Sequence, residues 1–415
     1  MWACASTPED EPTAGSSAAV DAATSDSAAG ATDAATSAPD AVADTTSAAD
    51  TGGPVIVDSG GAQPDTKTAV ADTGGTTADT ASTPVDAGPK DSSTAVGRLY
   101  GGAYNEETPA LAVFPDGSAL LAGYTESAGA GDWDMVAIRT DACGKPTWTR
   151  TYGSAGKDEA RGVAAVSDGG AWLVGSTDGF GGGTEAYIVR IDASGAPKFA
   201  HVHGGSSFDA AVGVAATSDQ GAIVVAKTYS FGPGTPSSHN LLALRVDAAG
   251  KLVWGTAFGG AEDGDAGFAV VALSDEAGKT DGFAFAGATE SFGIKDDDFW
   301  VMKLDAAGKH LWSNAYGGTL DDEARGLTAT SAGGLAVVGF SRGFGAVEED
   351  VLVLGLDGAG KVQWSTRLGT DGEERAYGVA ESQGSLFVVG RSDGFGSGDD
   401  GFLARIDGKG SLAWA

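Results

Sequence analysis

The chain has 415 residues and a formal net charge of −32 at neutral pH. So large a negative surplus repels nucleic acid and anionic membranes, which are therefore not expected partners, and it attracts cations. Two cysteines, Cys4 and Cys143, are too few for a disulfide framework, and no apolar run approaches the roughly 18 residues a spanning helix needs.

Taken in chain order, residues 1–97 come first. Between Cys4 and Thr94 the sequence is almost entirely Ala, Thr, Ser, Asp, Gly and Pro, with no aromatic residue. Such a segment cannot bury enough apolar surface to offset its chain entropy, so it reads as a disordered spacer. The opening "MWACASTPED" resembles the processing site of a bacterial lipoprotein, with Cys4 as the lipidated residue. No basic stretch and no apolar stretch precede Cys4, and a start lying upstream would supply both. The resemblance implies an exported protein of the outer membrane or cell surface, touching membrane only through that anchor.

From Arg98 onward the sequence repeats. Gly101, Gly153, Gly204, Gly259, Gly317 and Gly369 occupy equivalent positions, 51 to 58 residues apart. Each unit contains four short apolar runs bounded by Gly, Asp or Ser, a strand-and-turn pattern with no helical period. Four strands in about fifty residues is a propeller blade. The first run of each unit is rich in Gly and Ala ("GVAAV", "GVAAT", "GLTAT"), as a crowded axis requires. The fourth carries a bulky ring, Trp148, Phe199, Trp254, Trp312, Trp364 or Trp414, suited to a rim where blades diverge. Residues 98–415 are thus predicted to form a six-bladed, all-β propeller of four-stranded blades. "LAWA" at the end and Arg98 onward together complete one outer strand, which would close the ring. A monomer is expected.

The string "DAAGKHLWSNAYGGTLDDEARG", residues 305–326, carries a pattern found across all six units. It resembles the bacterial β-propeller repeat proteins of the SBBP type. The resemblance implies fold and repeat class, and a surface or secreted protein; it implies no activity.

Two sets of acidic residues should emerge on one face of the ring. One set ends the loop between the second and third strands, seven positions before a strand-ending aspartate: Asp134, Glu185, Asp298, Asp350 and Asp400, with Asn240 in the third copy. The other lies in the blade-to-blade connections and includes Asp158, Glu159, Asp322, Glu323 and Glu374, followed by Arg161, Arg325 and Arg375. The second set is expected to build carboxylate–arginine corners between blades. The first set is the candidate binding face, and calcium is the cation its oxygens would take. His239 joins it, because the loop from Ser230 to His239 alone breaks the acidic ring.

Catalytic motifs are not apparent: there is no G-x-S-x-G, HExxH or phosphate-binding loop. His201 and His203 read as a surface pair, His310 as a solvated turn residue, and Cys143 as an exposed thiol. Phe180, Phe231, Phe292, Phe344 and Phe395 are expected to plug gaps between blades. The functional expectation is a binding or scaffolding module for a protein or glycan at the cell surface, needing no cofactor. The alternative is a calcium-dependent hydrolase or lactonase with carboxylates near the central channel.

Overall fold

The computed structural model describes residues 20–21, 100, 104–129, 132–180, 183–260, 264–294, 296–343, 348–394 and 398–415. Cys4, Arg98, Phe344 and Phe395 lie outside them. Among the described residues every regular element is a β-strand. Six antiparallel sheets of four strands follow one another: Glu106–Val113 to Pro146–Tyr152, Asp158–Ala165 to Pro197–His203, Asp209–Ala216 to Leu252–Phe258, Ala266–Ser274 to His310–Tyr316, Asp322–Ala329 to Val362–Leu368, and Glu374–Ser382 to Leu412–Trp414. The chain is a six-bladed β-propeller. A two-residue strand, Val20–Asp21, adds in parallel to the outer strand of blade 1.

The turn chemistry follows from the repeated Asp-x-x-Gly step. Asp192 Oδ1 accepts the N–H groups of Ser194 and Ala196 at 2.8 and 3.0 Å, closing the hairpin between the third and fourth strands. Gly195 then takes φ +81°, which a side chain would resist. Asp247, Asp305, Asp357 and Asp407 repeat the arrangement. Each innermost strand also carries a bulge, as between Ala160 and Gly162. The bulge presses the Glu159 carbonyl onto the second strand, where a Cβ on Gly175 would lie only 1.7 Å from it. Near the axis, Gly162 faces Gly213 of the next blade so closely that a Cβ would sit 3.2 Å from its Cα. Small residues on the inner strands are therefore a packing requirement.

Successive blades join in the same way. The rim aromatic of one blade lies over the turn glycine of the next: Trp148 on Gly195, Phe199 on Gly250, Trp254 on Gly308, Trp312 on Gly360 and Trp364 on Gly410. Tyr152 adds a hydrogen bond from its hydroxyl to the Gly195 carbonyl at 2.8 Å, and Tyr316 does the same to Gly360. Five apolar clusters fill the five joints, each drawn from two consecutive blades. Phe231 and Phe292 pack into two of them, as expected for gap-filling rings. Phe180 does not; it is 53% exposed and only leans on Tyr187.

Three further expectations are corrected. His203 is half-buried with its Nε2 out of water, because it occupies the position of Tyr152 and Tyr316 against the next blade. Its imidazole is held down to about 4 by burial and then by the neighbouring His201. His310 is half-buried, and burial lowers its pKa too. Cys143 is disulfide-bonded, not a thiol.

Candidate functional site

The acidic sequence segments converge at the corners where one blade passes to the next. At each corner the first residue of the new blade donates its backbone N–H to the carbonyl just before the loop acid of the previous blade. Asp158 reaches Trp133, Asp209 reaches Thr184, Asp265 reaches His239, Asp322 reaches Asp297 and Glu374 reaches Glu349, at 2.6 to 3.1 Å. That bond brings the two acidic sets, 24 to 25 positions apart in the chain, side by side.

The geometry is organised around the repeat glycine. The point where a Cβ on Gly153 would stand is 2.8 Å from Asp134 Oδ1 and 2.6 Å from Asp158 Oδ2. At Gly317 the same point is 1.8 Å from Asp298 Oδ1 and 2.6 Å from Asp322 Oδ2. At Gly369 it is 1.7 Å from Asp350 Oδ1. Glu185 flanks Gly204 together with Asp209. Asp134, Asp158, Asp298, Asp322, Asp350 and Glu374 are all buried. Asp400, at the free side of blade 6, is exposed.

The strand-starting acids are held by hydrogen-bond donors of their own loops. Asp158 Oδ2 accepts Ser154 N–H at 2.7 Å, Asp322 Oδ2 accepts Gly318 N–H at 2.7 Å, and Glu374 accepts Thr370 N–H at 2.7 Å and the Ser392 hydroxyl at 2.6 Å. The arginines turn elsewhere. Arg161 pairs with Glu159 at 3.0 Å, and Arg325 with Glu323. Arg375 turns away from Glu374 and pairs with Glu349 and, at 3.8 Å, with Glu373. The corners are therefore carboxylate–amide joints, with arginine pairs running beside them. Glu349, only 1% exposed, is a hub missed from sequence: Arg342 and Arg375 both pair with it. Its one signal was standing directly before Asp350.

Gathering buried carboxylates raises their proton affinity. Burial, and then Asp209, pushes Glu185 up. Asp322 is pushed up to about 6, chiefly by burial, against the pull of Ser341 and Gly318. Asp297 is pushed up to about 7 by burial, with Glu323, Glu290 and Asp321 adding like charge and Arg325 relieving part of it. Asp297 thus stands in the field of three other carboxylates at the passage from blade 4 to blade 5. His239 is half-buried; its ring lies 5.3 Å from that of Tyr229, and its carbonyl belongs to the third corner.

No family model and no curated protein matches the chain. Among solved structures, it is similar to a protein of unknown function from Bacteroides caccae, with 15% identity, TM-score 0.43 and coverage of 71% of this chain and 92% of that one. It is also similar to Sqt1 from Chaetomium thermophilum, with 14% identity, TM-score 0.42 and coverage of 74% and 70%. A Hadza microbial sialidase, Hz136, matches at 11% identity and TM-score 0.46, over 68% of this chain and 62% of that one. These likenesses concern the fold.

Proposed function

We propose that the protein is a binding or scaffolding module of the SBBP-like propeller class, displayed on a bacterial surface. The observation that supports it is the even use of the acidic residues. The same pair of positions recurs from corner to corner and is built into the joints, so the acids hold an even, rigid face of loops in place of converging on a single reactive pocket. Such a face suits a protein or glycan ligand contacted over several loops. The test is to immobilise the full chain and present surface glycans and surface-protein extracts at low and physiological salt. Capture of a defined ligand, lost when the Gly232–Ser237 loop is replaced, supports the module; turnover of a captured glycan or ester would replace it with the enzyme reading.

That enzyme reading, a hydrolase, draws support from one place, the group of Glu290, Asp297, Asp321 and Glu323. If it acts on substrate, Asp297→Asn abolishes turnover while leaving the melting temperature in place. Display rests on Cys4. Mass spectrometry of protein from its native membrane decides it.

A further inference from the structure

At the corner between blades 3 and 4 the loop residue is Asn240, where four of the other five copies have aspartate and one has glutamate. Its amide is fixed in direction. Nδ2 donates to the carbonyls of Phe231 and Pro233 at 3.1 and 3.0 Å, so Oδ1 must face the corner. Oδ1 is buried there and no donor reaches it. It stands 2.1 Å, and Asp265 Oδ2 3.0 Å, from the point a Cβ on Gly259 would occupy. Asp265 Oδ2 accepts the Gly260 N–H at 2.6 Å and the Ser291 hydroxyl at 2.7 Å, so the Asn240 oxygen is the acceptor left out of water with nothing positive beside it, which costs free energy. A corner that wanted a donor would have received the NH₂ group, which is nearly the same size as the oxygen. A position that accepts an amide oxygen in place of a carboxylate, and always presents oxygen, has the ligand preference of a hard divalent cation.

We propose that the corner between blades 3 and 4 binds calcium through Asn240 Oδ1 and the Asp265 carboxylate. The ion joins consecutive blades and gives the Asn240 oxygen its positive partner. Among the described residues no three acidic, His or Cys side chains converge, so backbone carbonyls and water complete the shell. Affinity then falls in the weak range, about 10⁻⁴ to 10⁻³ M.

The test uses the full chain, stripped with chelator. Bound calcium is counted by equilibrium dialysis, and melting is followed in calcium, in magnesium and in sodium chloride of equal ionic strength. Calcium should raise the melting temperature above the sodium control. Asn240→Leu, which keeps the branching and removes the oxygen, should lower the count by one ion. Asn240→Asp should melt lower than wild type in chelator and regain the difference in calcium, with affinity tightened several-fold. If sodium matches calcium, or if both variants leave the count unchanged, the site does not exist. Should the leucine variant fail to fold, the aspartate variant decides alone.

Discussion

The five joints between consecutive blades differ from the two outer faces of the array, on blade 6 and on blade 1. In the joints, Ala137, Ile188, Ala243, Val301 and Val353 are at most 1% exposed, and Ala122, Val174, Val225, Ala286 and Val338 are fully buried. The same two positions in blade 6 are Leu403 and Val389, and they are 45% and 46% exposed. On the other side Leu111 is 61% exposed, whereas its counterparts Val270 and Leu327 are 8% exposed. Trp414, alone among the rim rings, is 43% exposed. Pairing of the third and fourth strands in blade 6 stops at Arg405 with Trp414. The faces have the same chemistry as the packed ones, so one repeat sequence produces a buried joint or an apolar surface according to what lies beside it. Tyr100 already donates its hydroxyl to the Gly144 carbonyl of blade 1, as Tyr152 does to Gly195 one blade later. The neighbouring residues that would complete the shared outer strand lie outside the described ones.

The sharpest way to break this comparison is a buried charge. Val353→Asp should cost at least about 4 kcal/mol, because a carboxylate enters a dry joint with no partner. Leu403→Asp, at the equivalent position of blade 6, should cost under about 1 kcal/mol in denaturant unfolding. Equal costs would mean that blade 6 packs on blade 1 in solution as tightly as the other blades pack together.

A smaller effect comes from His203 in the second joint. Its folded pKa of about 4 lies below the unfolded value, so the unfolded chain takes up the proton first. The joint should therefore be fully stable above about pH 6.5 and lose up to about 3 kcal/mol as pH falls towards 4. His203→Tyr restores the residue seen at Tyr152 and Tyr316 and should flatten that part of the pH profile. A profile unchanged by the substitution would place the acid sensitivity elsewhere.

The smallest effect is expected where the arginines stand. Arg161 is half exposed and bonds Glu159 at 3.0 Å, so Glu159→Gln should change stability by less than about 1 kcal/mol, and less still in high salt. A larger loss would restore to the arginine pair the joint-building role that the amide hydrogen bonds of Asp158 hold here.

Much of this was legible in the chain. The Asp-x-x-Gly turns could be read because their hydrogen bonds run between residues two and four apart, as from Asp192 to Ser194 and Ala196. Blade number, strand number and the rim aromatics followed from the same short-range periodicity. The two acidic sets were legible as sets. Their pairing was not, because Asp134 and Asp158 meet only when blade 2 folds back beside blade 1. The swap of Arg375 from Glu374 to Glu349 was equally hidden, since adjacent strand residues point to opposite faces.

Sequence alone therefore determined the repeating unit, because strands, turns and small or bulky positions are set by neighbours within one blade. Tertiary structure alone decided burial and electrostatics at the edges of each unit. It made His203 an inner residue, aimed Asn240 Oδ1 at Asp265, and left Leu403 exposed where Val353 is buried. Identical local patterns can meet different neighbours, and the dielectric, the charge and the free energy at a position belong to that meeting.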